Sequence, residues 1–238
     1  MMVPKQNCHP DRSVAQRRDL LFFVLTQGLR PSSFWFVVAR LKSCPDKSKT
    51  CTFSRRLIPA VLVASTAASA QTSHWPTRDG NYVIKNFRFG SGESLPELKL
   101  HYLTLGAPHR DAAGHTDNAV LLLHGTGGDA HSLLNPVFSD VLFGPGQPVD
   151  IARYYIILPD DIGHGESSKP SDGLRMHFPQ YDYDDMVASQ HTMLVEGLHV
   201  DHLRLIIGTS MGCMQSFVWG ETYCGFSDAL APFACLPV

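Results

Sequence analysis

The stretch Leu203-Arg204-Leu205-Ile206-Ile207-Gly208-Thr209-Ser210-Met211-Gly212 is an aliphatic run, broken only by Arg204, that ends in two glycines bracketing a serine. A short apolar run closed by glycine reads as a strand buried on both faces, as in a parallel sheet. The residues from about Met211 read as a helix, with Met214 and Val218 on one side. Gly-x-Ser-x-Gly between a buried strand and a helix is the setting in which that motif has chemical meaning. The turn is tight enough to strain the serine backbone, and side chains at the glycine positions would strike neighbouring elements. The strain lifts the hydroxyl above the carboxyl edge of the sheet, and the helix N-terminus faces developing negative charge. Ser210 is therefore the candidate nucleophile.

Upstream, Ala119 to Leu123 and Tyr154 to Leu158 are further continuous aliphatic runs, closed by His124-Gly125 and Pro159-Asp160. Before them, Tyr82 to Phe89 and Leu98 to Thr104 alternate apolar and polar residues, which predicts two half-buried opening strands paired antiparallel. Val187, His191, Leu194, Val195 and Leu198 fall at helical spacing, with Asp184 and Asp185 at the helix start. Leu230 to Leu236 reads as the start of another strand. Strands alternating with helices predict an α/β fold, a mostly parallel sheet with flanking helices. The polar, Pro- and Gly-rich segment from Gly163 to Tyr183 is expected on the surface near the site.

The loop His124-Gly125-Thr126-Gly127-Gly128 follows the first buried strand. In such an architecture it supplies one main-chain N–H for an oxyanion, with Thr126 as the candidate donor, and Met211 supplies the other. Gly125 to Ala130 also spells G-x-G-x-x-A, a dinucleotide fingerprint, but no acidic residue ends a following strand at the required distance, and no P-loop lysine follows. Asp160, Asp161 and His164 cluster after the second buried strand without H-x-H or H-E-x-x-H spacing, so neither a metal nor a cofactor is expected. His199 and His202 flank a helix-to-strand turn and are read as surface or capping groups. The sequence has no histidine after Ser210, and Glu221 and Asp228 are the only acids there. A serine hydroxyl needs a base, and the base an orienting acid; His124 and His164, at strand ends, are the upstream alternatives.

Gly208-Thr209-Ser210-Met211-Gly212 with Met214-Gln215 and Trp219 resembles the nucleophile region of homoserine O-acetyltransferase-like α/β-hydrolase proteins, whose elbow reads G-x-S-M-G-x-M-Q with a tryptophan shortly after. The likeness covers about Tyr82 to Val238. It implies an α/β-hydrolase fold whose further strands, helical lid, triad acid and histidine lie beyond Val238. The chain is thus expected to be the N-terminal part of such a domain, incomplete at its C-terminus. It also implies Ser210 as nucleophile, with the Thr126 and Met211 N–H groups as oxyanion donors. The loop here reads H-G-T-G-G where the family usually has H-A-L-T-G, and Gly163-His164-Gly165 looks more like an esterase. The expectation is an ester hydrolase acting on a small-molecule ester or acyl substrate through a Ser210 acyl-enzyme. The alternatives are a homoserine O-acetyltransferase using acetyl-CoA and a catalytically dead remnant lacking the triad acid and histidine.

The net charge of −2 hides a division: residues 1–70 carry 11 Lys/Arg against 3 Asp/Glu, and residues 71–238 carry 9 against 19. An acidic body gives no reason to expect nucleic-acid binding. Arg55-Arg56, the apolar run Leu57 to Ala67 and Ala68-Ser69-Ala70 resemble a signal peptide, too short to span a bilayer. The expected organisation is 1–53 unstructured or a mis-assigned start, 54–70 a signal-like segment and 71–238 the folded body. The body would be secreted or periplasmic if 54–70 directs export, and cytoplasmic otherwise. The six cysteines contain no C-x-x-C pair and are read as mostly buried thiols.

Overall fold

The computed structural model describes residues 74–235, so the segments 1–53 and 54–70 and the tail from Leu236 lie outside it. Six strands form one sheet in the order β1-β2-β4-β3-β5-β6: β1 Arg78–Arg88, β2 Ser94–Leu105, β3 Ala119–Leu123, β4 Tyr155–Pro159, β5 Leu205–Thr209 and β6 Leu230–Phe233. The β1–β2 and β2–β4 pairs are antiparallel, while β3 pairs in parallel with β4 and β5, and β5 with β6. The first opening strand is longer than its alternation suggests, because Arg78 to Asn81, mostly exposed, extend its pairing with β2.

The aliphatic runs are continuous because each strand serves two cores. Ala119, Leu121 and Leu123 of β3, Ile157 of β4 and Ile206 of β5 point to one face. Val120, Leu122, Ile156, Leu158 and Ile207 point to the other. The first face is covered by helices α2 (Tyr183–Thr192) and α3 (Met211–Thr222), through Met186, Val187, Met211 and Trp219. The second is covered by the segment from Ala130 to Val149, with the one-turn helix α1 (Pro136–Ser139) and the buried Phe143. Sequence patterning gave this segment no element.

Helix α2 starts where the acidic residues place it: Asp182 caps it, accepting from Asp185 N–H at 3.1 Å. Its inward face matches the predicted one only in part: Val187 and Leu194 are buried as the spacing predicts, and Leu198 packs against the core. A wide π-type turn, Met193–Gly197, follows α2 and shifts the register by about one residue. Met186, Val187, Gln190, Met193 and Leu194 are buried, whereas Val195 is exposed and His191 half-buried against Tyr223. The cysteine reading is also corrected. Cys213 and Cys235 form a disulfide, with Cα atoms 6.0 Å apart, and Cys224 is exposed. Among the described residues no helix is long and apolar enough to cross a membrane.

Candidate functional site at the carboxyl edge of the sheet

Ser210 closes β5 and caps α3 with φ 53° and ψ −111°, a backbone conformation that a non-glycine residue adopts only under constraint. The constraints are visible. Its N–H donates to Phe233 C=O at 3.0 Å, and its C=O accepts from Cys213 N–H at 3.1 Å. The side chain is exposed. Both flanking glycines are required by space. A Cβ on Gly208 would lie 2.0 Å from the Gly212 carbonyl oxygen, and one on Gly212 would lie 2.4 Å from that of Leu123. The elbow is therefore wedged between its own helix and the end of β3.

The loop after β3 reaches the same place. A Cβ on Gly125 would sit 3.3 Å from Ser210 Cβ and 3.9 Å from its Oγ, so this glycine lets the loop main chain approach the hydroxyl. Gly212 N–H donates to His124 C=O at 3.0 Å, which joins loop and elbow. Gly125 C=O accepts from His124 Nδ1 at 2.8 Å and from Gly128 N–H at 2.9 Å. A trans peptide carries its C=O and N–H in opposite directions. With the Gly125 carbonyl turned back into the loop, the Thr126 N–H points outward. Neither Thr126 nor Met211 N–H has an acceptor among the described residues.

The two histidines at the strand ends are engaged. His124 is fully buried. Its Nε2 accepts from Asp161 N–H at 3.2 Å, so the ring proton sits on Nδ1, where Gly125 C=O takes it. His164 places Nε2 3.0 Å from Thr126 C=O and Nδ1 3.2 Å from Ile162 C=O, and a neutral ring donates to only one of these carbonyls. Among the described residues neither ring hydrogen-bonds to Ser210.

The neighbouring carboxylates face apart and are filled by N–H donors. Asp160 accepts from Ala130 N–H at 2.7 Å, Glu166 N–H at 2.8 Å and His101 Nδ1 at 2.8 Å. Burial pushes its carboxyl up, but these donors together outweigh burial and hold it below the ordinary range. Asp161 is wholly buried. Burial drives its carboxyl above the ordinary range against the pull of His124, Gln215 and Gln190. Gln190 Nε2 donates to its Oδ1 at 2.5 Å and Gln215 Nε2 to its Oδ2 at 2.7 Å. Trp219 Nε1 in turn donates to Gln190 Oε1 at 2.8 Å. The sequence reading missed Gln190. Its signal was a polar side chain between Val187 and Leu194 on the covered face of α2.

The acids after the elbow lie elsewhere. Asp228 pairs with His202 and Arg204 at the start of β5, the opposite end of the strand from Ser210. His199, at φ 54°, accepts from Arg110 through its carbonyl. Two shallow cavities of about 400 and 340 Å³ also open at that far end, lined by residues such as His109, Arg153, Asp201 and Arg204.

Comparison with known proteins agrees with this geometry. Residues 118–232 match the alpha/beta hydrolase fold family. A probable acyltransferase from Methanothermobacter thermautotrophicus is 34% identical over 152 residues, 63% of this chain and 46% of that protein. A homoserine O-acetyltransferase from Methanohalophilus mahii is 34% identical over 160 residues, 61% of this chain and 32% of that protein. The structure of the acetyl esterase MekB superposes with a TM-score of 0.57 at 27% identity, covering 65% of this chain and 44% of that one. The chain thus spans less than half the length of these proteins. With a serine wedged between strand and helix, a mixed sheet of this strand order and these relatives, the chain has the α/β-hydrolase fold and is similar to homoserine O-acetyltransferases.

Proposed function

We propose that the chain carries the nucleophile and oxyanion-binding part of a serine acyl-transfer site. The observation that carries this reading is the left-handed, exposed Ser210 at the N-terminus of α3. Ser210 Oγ would attack the carbonyl carbon of an ester or thioester. The negative charge on the carbonyl oxygen would be held by the Thr126 and Met211 N–H groups and by the positive end of α3. Expulsion of the alcohol or thiol leaves an acyl-serine, and transfer to water or to a hydroxyl acceptor frees the serine. Water is the preferred acceptor, giving an ester hydrolase; the H-G-T-G-G loop and the similarity to an acetyl esterase support this. Homoserine as acceptor, with acetyl-CoA as donor, is the alternative supported by the acetyltransferase relatives. The Cys213–Cys235 disulfide supports export through segment 54–70, since such bonds persist outside the reducing cytosol.

A second reading has its own observation: among the described residues no histidine hydrogen-bonds to Ser210, and His124 is tied to Gly125 and Asp161. On that reading the chain by itself binds an acyl group without turning it over. Treatment of the full chain with a fluorophosphonate, followed by intact-mass and peptide mapping, tests both. An adduct on Ser210 that disappears in Ser210→Ala supports the acyl-transfer site. A folded chain that takes no adduct, or one still labelled in Ser210→Ala, overturns it.

A further inference from the structure

The Gln215 and Trp219 side chains, one helical turn apart on α3, are absorbed by no step of the chemistry above. The buried network they join has a fixed direction. An indole N–H only donates, so Trp219 forces Gln190 to turn Oε1 toward it and Nε2 toward Asp161 and Gln215. Gln215 must then present Oε1 to Gln190, at 2.8 Å, which turns its own Nε2 onto Asp161 Oδ2 and the Met186 sulfur. Both carboxylate oxygens of Asp161 thus face donors from helices α2 and α3.

Asp161 Oδ2, the oxygen that Gln215 holds, lies only 3.6 Å from His124 Nε2. Asp161 therefore offers that nitrogen two contradictory partners: its main-chain N–H, which requires a bare Nε2, and its carboxylate, which requires a protonated one. In the structure the N–H is bonded and the carboxylate is held off. We propose that Gln215 is a positioning residue for the oxyanion loop: by occupying Asp161 Oδ2 it keeps His124 in the Nδ1–H tautomer, whose proton turns the Gly125 carbonyl inward and the Thr126 N–H outward. Trp219, through Gln190, sets the direction of the amides that do this. The inference rests on the acyl-transfer reading for its purpose, but the tautomer is a property of the folded chain whatever Ser210 does.

The test uses the full chain labelled with ¹⁵N-histidine, with long-range ¹H–¹⁵N correlation reporting which His124 nitrogen carries the proton. The wild type is expected to show Nδ1–H and a bare Nε2. Gln215→Met keeps the volume and removes the amide, so Asp161 Oδ2 is expected to capture a proton on Nε2, and the tautomer switches. Adding Asp161→Asn removes the capturing carboxylate and is expected to restore Nδ1–H. A stability loss shared by both variants would not reproduce that reversal. Gln215→Asn, too short to reach Oδ2, serves if Gln215→Met does not fold. The fluorophosphonate labelling rate of Ser210 is expected to fall roughly tenfold or more in Gln215→Met and to recover in the double variant. An Nδ1–H tautomer unchanged in Gln215→Met and Gln215→Asn, or a switch that Asp161→Asn fails to reverse, overturns the proposal. The expected tautomers in a chain whose Ser210 never labels would sustain this inference and remove the acyl-transfer reading.

Discussion

Replacing Gly212 by alanine puts a methyl group 2.4 Å from the Leu123 carbonyl oxygen and 2.6 Å from both Leu123 C and Cβ. Carbon in ordinary contact needs about 3.5 Å, so helix α3 and the end of β3 must part by about 1 Å. Neither is free to move. Gly212 N–H is bonded to His124 C=O, and β3 is paired on both sides. Overpacking of this kind costs about 1–3 kcal/mol, and stretching that hydrogen bond adds about 1 kcal/mol. Together they give about 3 kcal/mol, or a fall in melting temperature of about 6–12 °C for a domain of this size. Gly127→Ala, in the loop that meets Ser210, is the internal control, because its Cβ would meet nothing within 4 Å and its φ lies outside the left-handed region. It should stay within about 0.5 kcal/mol of wild type. Thermal and urea melts of the two variants compare them directly. A Gly212→Ala chain as stable as Gly127→Ala, still reactive at Ser210, would refute the claim that these glycines are dictated by the wedge between β3 and α3.

Three further outcomes follow from the same contacts. Asp160→Asn leaves the buried N–H of Ala130 and the part-buried N–H of Glu166 competing for one oxygen and should cost about 3 kcal/mol. Because the Asp160 carboxyl is held below its ordinary 3.8, its contribution is complete above that pH and is lost as pH falls through the folded value, so the variant's urea midpoint should vary less below about pH 4. His191 lies flat on Tyr223, with ring centroids 3.9 Å apart, and burial holds its imidazole below the ordinary 6.5. The unfolded chain therefore takes up that proton first, and stability should fall as pH drops below 6.5; His191→Phe should flatten that slope in pH-dependent melts. Reducing Cys213–Cys235, which are 22 residues apart, should destabilise the chain by about 3 kcal/mol, read as a lowered urea midpoint with dithiothreitol and reproduced by Cys235→Ser.

What the residues alone revealed, and what they concealed, divides along a physical line. Strands β3, β4 and β5 were legible because each is built on an unbroken apolar run, the pattern of a strand with two covered faces. The elbow was legible because its two glycines answer to distances of 2.0 and 2.4 Å that no side chain tolerates. The covered face of α2 was read only in part, through Val187 and Leu194, because the π-type turn at Met193–Gly197 breaks the 3.6-residue period that placed Val195 on it. Gln190 and Gln215 were invisible as partners. A glutamine in a helix reads as solvent-facing until tertiary packing brings a buried carboxylate to it, here Asp161 from the turn after β4. The Cys213–Cys235 pairing was hidden for the same reason, since it depends on β6 returning beside α3.

This division bears on the proposed chemistry. The groups assigned to the oxyanion, the N–H of Thr126 and of Met211, are main-chain donors, and no substitution other than proline removes them. Their direction is set by other residues: the glycines that let β3, the loop and α3 approach, and the relay from Trp219 through Gln190 and Gln215 to Asp161 and His124. An electrostatic site of this kind works by being rigid before the charge develops, so its sensitivity to mutation lies in its supports rather than in its donors. Thr126→Ala should therefore leave Ser210 labelling nearly unchanged, while Gln215→Met, which makes no direct contact with Ser210, should slow it. A labelling rate that instead follows the Thr126 side chain would mean that the hydroxyl, not the peptide, meets the substrate.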